Sequence, residues 1–230
     1  DGAGNSYVTG FFGYSEYSRG GGAATFGPGE PNQTILTSDG GGVTFFVAKF
    51  DSDGALVWAK RAGGTSDEGL GIAVDGAGNS YVTGAFQGVT TFAPGEANQT
   101  VLTSAEDNEV FVAKYDSAGA LVWARRATAL ASGNIAVDGT GNSYVAGGFG
   151  FAGTATFAPG EPNQTVENGS REDGFLAKYD RAGELVWARR ATALAGGSIA
   201  VDASGNSYVT GSFGSTATFG HGEANQTTLT

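Results

Sequence analysis

At 230 residues the chain is long enough to bury a sizeable core, and all-β units of this size often fold as one domain. Twelve basic against 23 acidic residues give a net charge of −11, which speaks against nucleic acid and anionic membrane surfaces as partners. Cysteine is absent, which removes disulfides and thiol chemistry and leaves the redox compartment open, and no run of about 18 apolar residues is present to span a membrane as a helix.

The chain opens on DGAGNSYVTG from Asp1, and the same stretch returns from Asp75, as DGTGNSYVAG from Asp138 and as DASGNSYVTG from Asp202. The last three copies follow an Ile-Ala-Val run. A β-branched run, an Asp-x-x-Gly-Asn turn and an alternating Ser-Tyr-Val run predict a β-hairpin, with the Asp side chain capping the turn backbone. In the second copy the first hairpin is expected over 71–74 and 80–86. Two short β-type runs around a Pro-Gly turn follow, between Gly88 and Thr103, and then a polar loop over 104–109. Val110–Tyr115 and Ala120–Arg125 predict a second hairpin around Asp116, with Phe111, Ala113 and Tyr115 on one face. Residues 127–132 are expected to lead into the next copy. Trp58, Trp123 and Trp187 stand at one place in successive copies, LVWAK or LVWAR, and are expected in equivalent, largely buried positions packed between neighbouring sheets.

Self-similarity recurring roughly every 64 residues makes this a repeat array. The repeats fall approximately at 1–69, 70–132 and 133–196, with a partial copy over 197–230, about three and a half in all, and no room is left for a separate second domain. No segment keeps a 3.6-residue apolar period, and the 41 glycines read as turn punctuation, so the fold class is all-β. A four-stranded antiparallel meander per repeat cannot bury both of its faces alone; stacking the sheets radially, as β-propeller blades, does. The chain carries no methionine and starts inside a copy, so it is expected to be a mature product, a fragment or part of a longer polypeptide.

Segments such as GIAVDGAGNSYVTGAF, TTFAPGEANQTVLTS, EVFVAKYDSAGALVWARRA and SIAVDASGNSYVTGSF resemble the SBBP beta-propeller repeat, and the first two strands are also similar to NHL-type blades. The resemblance implies a β-propeller-type fold and a large secreted or surface-attached, mostly bacterial, protein. It implies no particular activity, because propellers host many. The first copy departs from the pattern in the longer loop from Tyr14 to Gly22 and in Gly63–Gly69.

Residues able to carry chemistry are few. The single histidine, His221, sits in a Gly-His-Gly turn where the other copies have Pro28, Pro94 and Pro159, and reads as a substituted loop residue. With no Cys, no G-x-S-x-G elbow and no H-E-x-x-H helix, neither nucleophilic catalysis nor His/Cys metal ligation is supported. Asp75, Asp138 and Asp202 in the first hairpins, and Asp116 and Asp180 in the second, read as structural turn acids. Asp51 with Asp53 is the one pair that fits Ca²⁺ together with loop carbonyls, although the Asp-x-Asp-x-Asp-Gly density of a dedicated site is missing. No other cofactor is called for. Glu30, Glu96, Glu161 and Glu223 recur in identical settings, whereas acid–base work on a glycoside needs two unlike carboxylates. Lys49, Lys114 and Lys178, and Arg61, Arg126 and Arg190, read as cross-strand partners for acids. Asn32, Asn98, Asn163, Asn168 and Asn225 head N-x-Ser/Thr sequons and are candidate N-glycosylation sites, although duplicating one ancestral repeat would copy the tripeptide equally.

The expected function is a non-catalytic structural or interaction module, extracellular or at a cell surface, that associates with itself or with further repeats. A carbohydrate- or small-ligand-binding propeller is the alternative, using the copy-specific Tyr14, Tyr17, Arg19 and His221; a glycan-active enzyme is third. Half-repeats at both ends leave strand edges and apolar faces open, so the functional unit is expected to be larger than this chain.

Overall fold

The computed structural model describes residues 1–13, 22–38, 42–64, 66–105, 108–149, 153–192, 197–220 and 222–230, and for 130–132 the backbone alone. The described residues form strands and turns with no helix. The first repeat supplies β1 (Ser6–Phe12), β2 (Ala23–Phe26), β3 (Thr34–Thr37), β4 (Thr44–Phe50) and β5 (Leu56–Gly63). The second supplies β6 (Asp67–Val74), β7 (Ser80–Phe86), β8 (Val89–Phe92), β9 (Thr100–Thr103), β10 (Glu109–Tyr115) and β11 (Leu121–Thr128). The third has β12 (Leu130–Val137), β13 (Ser143–Gly148), β14 (Thr154–Phe157), β15 (Thr165–Asn168), β16 (Gly174–Tyr179) and β17 (Leu185–Ala191). The last has β18 (Ile199–Val201), β19 (Ser207–Val209), β20 (Ala217–Phe219) and β21 (Thr227–Leu229).

Each complete repeat is an antiparallel meander of an inner hairpin (β6–β7, β12–β13) and an outer hairpin (β10–β11, β16–β17), as its alternating β-branched and aromatic residues dictate. The inner strands stand side by side from repeat to repeat, β6 beside β12 and β12 beside β18. Glycine permits that approach: a Cβ on Gly71 would lie within bonding-clash range, 2.4 Å, of the Gly133 carbonyl oxygen. For the same reason the inner strand of the second repeat starts earlier than expected. Asp67–Gly69, ahead of the strand expected at 71–74, open β6, with a bulge between Gly69 and Gly71. No long loop separates repeats two and three either: Ala127 and Thr128 end β11, Ala129 makes the turn, and β12 begins at Leu130.

The four main strands of each complete repeat form the expected meander, and the two short runs add to a neighbouring sheet. The two short runs of each repeat form a side hairpin, and from the second repeat on that hairpin pairs with the outer strand of the preceding repeat. Thus β8 pairs with β5 (Ala62 opposite Phe92) and β14 with β11 (Ala127 opposite Phe157), while Thr192 and Thr218 bridge β17 to the last side hairpin. The second sheet therefore has six strands, in the order β15-β14-β11-β10-β7-β6. The second and third repeats each hand two strands to the sheet of the repeat before.

Burial follows this stacking. In β10, with a sheet on either side, every residue is buried. In β4 the half-exposed residues are Phe46 and Phe50, on the face with no preceding sheet; in β16 they are Leu176 and Lys178, on the opposite face. Between the first and second sheets Phe45, Phe92 and Phe111 meet at centroid distances of 5.1–6.2 Å, two of the three pairs edge-to-face. Such aromatic pairs add roughly 0.5–1.5 kcal/mol each beyond the area they bury.

Candidate functional site

The repeated polar chemistry of this chain lies between its sheets. In the inner-hairpin turn of the third repeat, Asp138 Oδ1 accepts the amides of Thr140 (2.9 Å) and Asn142 (3.0 Å) and the Thr140 hydroxyl (2.7 Å). Its Oδ2 accepts the Asn142 side-chain amide (2.8 Å) and the Tyr144 hydroxyl (3.1 Å). Burial pushes this carboxyl up, but the donors on Thr140 and Asn142 outweigh it and hold it well below the usual range. Asp75 has the same arrangement and the same direction of shift, and Asp1 and Asp202 repeat the contacts at the exposed ends.

The tyrosine of that hairpin reaches outward. Tyr7 donates to the Gly78 carbonyl (3.1 Å), Tyr81 to Gly141 (3.1 Å) and Tyr144 to Gly205 (3.1 Å), each time the inner turn of the next repeat. Beside it stands the tryptophan of the outer strand, edge-on: Tyr7–Trp58 at 6.3 Å, Tyr81–Trp123 at 6.2 Å and Tyr144–Trp187 at 6.2 Å. Trp58 donates from Nε1 to the Ser117 carbonyl (3.2 Å) and Trp123 to the Arg181 carbonyl (3.1 Å), in the outer turn of the next repeat. The indole lies flat against the turn glycine. A Cβ on Gly119 would fall 2.7 Å from Trp58 Cδ2, and one on Gly183 2.6 Å from Trp123 Cδ2. Both glycines have φ near +80°, so both the conformation and the space require glycine.

Lysine completes the clasp. Lys49, Lys114 and Lys178 lie over the Tyr7, Tyr81 and Tyr144 rings at 5.3, 4.8 and 4.9 Å. Lys49 and Lys114 donate to the same carbonyls as the indoles, Ser117 and Arg181, at 3.4 and 3.5 Å. These lysines are therefore not partners of acids, as their alternation suggested. The arginines do meet acids: Arg126 pairs with the buried Glu109 (2.7 Å) and Arg190 with the buried Asp173 (3.1 Å).

The remaining sequence candidates have local roles. Asp51, Asp116 and Asp180 each accept two backbone amides in an outer turn; one of the donors to Asp51 is Asp53 N, at 3.0 Å. Among the described residues no three His, Cys, Asp or Glu side chains gather closely enough to hold a metal ion. Glu96, Glu161 and Glu223 reach back to the preceding outer strand, at Lys60 (2.6 Å), Arg125 (3.6 Å) and Arg189 (3.4 Å), while Glu30 caps the Leu56 amide of its own repeat (2.6 Å). Asn32 and Asn163 donate their side-chain amides to the Leu56 (3.1 Å) and Leu185 (2.6 Å) carbonyls, and Asn98 does so to Leu121, which engages the nitrogen a glycan would occupy. Asn168 meets Thr154 (3.3 Å), and Asn225 lies on an exposed turn. Tyr14, Tyr17, Arg19 and His221 lie outside the described residues. Sequence reasoning missed the Tyr–Lys–Trp set as a unit, although the recurrence of all three residues in every outer and inner hairpin was the available signal.

One buried acid has no such partner set. Asp67 is fully buried, with Oδ1 bonded to the Thr90 hydroxyl and Oδ2 without a hydrogen-bond partner among the described residues. Burial pushes its pKa up from 3.8 to about 7, against the lowering effect of Thr90. The unfolded chain then loses this proton near pH 4 while the folded chain keeps it to about 7, so stability is full below pH 4 and falls as pH rises through that window. Asp67→Asn is expected to remove that fall, on the order of 3 kcal/mol, which urea midpoints at pH 4.5 and pH 8 check.

Antiparallel sheets that follow one another along the chain and are joined by a repeated side-chain clasp define an all-β repeat architecture. Residues 57–85, from an outer strand into the next inner hairpin, match the family model of the SBBP beta-propeller repeat. The chain is also 27% identical over 169 residues to an uncharacterized WD repeat-containing protein, L264, of Acanthamoeba polyphaga mimivirus, which covers 62% of this chain and 12% of that much longer protein.

Proposed function

We propose that this chain is a non-catalytic structural and interaction module of a secreted or cell-surface repeat protein, and that it works by stacking its sheets against further β-repeats. The clasp carries this reading. It joins the first sheet to the second and the second to the third through the same three side chains, and the third repeat to the last through the Tyr144 bond to Gly205. At one end the outer turn at Asp51–Gly54 has no indole on it, and nothing lies within 4 Å of a Cβ placed on Gly54. At the other, Trp187 is only half-buried, against Trp58 at 8% and Trp123 at 5% exposure. The family match and the WD repeat-containing relative support a repeat module, and the turn acids support a non-enzymatic one, since the same environment recurs in each copy.

A photo-crosslinking amino acid at Phe46 or at Leu176, in the protein as its host makes it, tests the reading. Crosslinks from both positions to segments of β-repeat sequence are expected. Both positions staying free, with glycans captured on the turn surface instead, would overturn it.

A further inference from the structure

The turns of the repeats are nearly uniform, and two polar departures from that uniformity border the same hollow. We propose that the hollow between the inner turns of the second and third repeats binds a uronate, a sugar residue carrying one carboxylate, and that Arg181 and Lys114 hold the carboxylate. Every residue lining it belongs to the second or third repeat, both of which are complete. The inner turn that starts at Asp75 forms one side and the inner turn that starts at Asp138 the other. Lys114 of β10 and Arg181 of the outer turn border the space between, about 350 Å³.

The third residue of the inner turn is Ala3, Ala77 or Ser204 in the other copies and Thr140 here. The second residue of the outer turn is Ser52 or Ser117 in the other copies and Arg181 here. The backbone does not change with them. A Cβ on Gly78 would lie 3.5 Å from Ser117 Cβ, and a Cβ on Gly141 3.5 Å from Arg181 Cβ. The gap between the first and second repeats therefore brings its turns together in the same way, with a serine where this one has a guanidinium.

The difference is charge. Lys114 is 9% exposed, stands over the Tyr81 ring at 4.8 Å and makes one long hydrogen bond, to the Arg181 carbonyl at 3.5 Å. An ammonium has three protons to donate, and the others have no acceptor among the described residues. The exposed Arg181 side chain has no ion pair among the described residues. Burial pushes the Lys114 pKa down, Asp75 pulls it up, and the Arg181 charge lowers it further. Two cations held side by side repel each other, and an anion between them removes that cost.

The lining also selects the anion. Lys114, Arg181 and Asp75 together leave one positive charge, which matches a monoanion better than a phosphate dianion. Asp75 is not free to receive a cation. Its oxygens already accept the Ala77 and Asn79 amides, the Asn79 side chain and the Tyr81 hydroxyl. An amino acid is disfavoured on that ground, because its ammonium would meet two cations and no available acid. The rest of the lining is polar and uncharged, with Thr140 and the glycine backbones of Gly76 and Gly139, which suits hydroxyl groups. The volume falls at the lower end of small-ligand sites and exceeds what a bare carboxylate fills.

Isothermal titration calorimetry of the intact protein with sodium glucuronate and with its methyl glycoside tests the proposal, beside glucose and inorganic phosphate. Both uronates are expected to saturate one site. Glucose, which lacks the carboxylate, is expected to bind at least about tenfold more weakly, as loss of a hydrogen bond to a charged group does. Arg181→Ser installs the residue found at position 117 and keeps the carbonyl that Trp123 uses. It is expected to weaken glucuronate at least about tenfold while the melting temperature stays in place. Arg181→Lys keeps the charge without the planar fork and is expected to fall between the two. Glucuronate is also expected to slow hydrogen exchange at residues 139–141 in the wild type and not in Arg181→Ser. A methyl glycoside that binds more tightly than the free sugar acid identifies a glycan chain as the source, and the reverse order a free acid; either supports the site. No saturable binding of either uronate, glucose or phosphate binding as tightly as glucuronate, or full affinity in Arg181→Ser overturns the proposal. The crosslinks expected at Phe46 and Leu176 report on sheet faces and not on these turns, so the module reading and the uronate site fail separately.

Discussion

Trp123→Ala is expected to lower the stability of the chain by about 3–5 kcal/mol, the range for truncating a large buried aromatic, while Trp187→Ala lowers it by no more than about 1.5 kcal/mol. The two residues occupy the same place in the repeat and differ only in what covers them. Trp123 is 5% exposed, bonds the Arg181 carbonyl at 3.1 Å and lies on Gly183; Trp187 is half-buried and has no such turn. Urea unfolding of the two variants beside the wild type measures the difference directly. Equal losses would mean that burial within one sheet, and not the clasp between sheets, holds these residues.

Asp138→Ala is expected to cost about 2 kcal/mol or more, since it strips five donors of their acceptor at a nearly buried turn. Tyr144 would keep its bond to the Gly205 carbonyl but lose the carboxylate that orients it. Asp202→Ala, at the exposed end of the array, is expected to have a smaller effect, although its hydrogen bonds are the same in kind. The sign with pH follows from the depressed carboxyl of Asp138. Its contribution is present above the ordinary carboxylate range near pH 4 and is lost as pH falls below it. The variant should therefore unfold with a shallower acid limb than the wild type. An acid limb as steep as the wild type's would show that the turn carboxylate is not the group responsible.

Much of the fold was legible because its signals are local. The Asp-x-x-Gly-Asn turn and the alternation of Ser80, Tyr81 and Val82 define the inner hairpin within ten residues, and Asp116 to Gly119 defines the outer one in the same way. What was not legible depends on the neighbouring repeat. Thr90 and Phe92 read as a short strand, but nothing in their own sequence says that the strand joins β5 of the repeat before. The strand expected from Gly71 begins four residues earlier, at Asp67, where the inner strands of neighbouring repeats approach one another. Lys114 looks like a surface charge until Tyr81 and the Arg181 carbonyl, far away in sequence, are placed on either side of it. Trp187 is identical in sequence context to Trp123, and its exposure differs for a reason that lies entirely outside that context.

The central claim is that stability flows from sheet to sheet through the clasps, so that the repeat covered on both faces is the most secure. Hydrogen exchange followed by mass spectrometry tests it most directly, since protection reports local opening free energy. The account predicts the slowest exchange in β7 and β10 of the second repeat, intermediate exchange in β4 and β16, and the fastest in β18 to β21. Amides of β19 and β21 exchanging as slowly as those of β10 would contradict it.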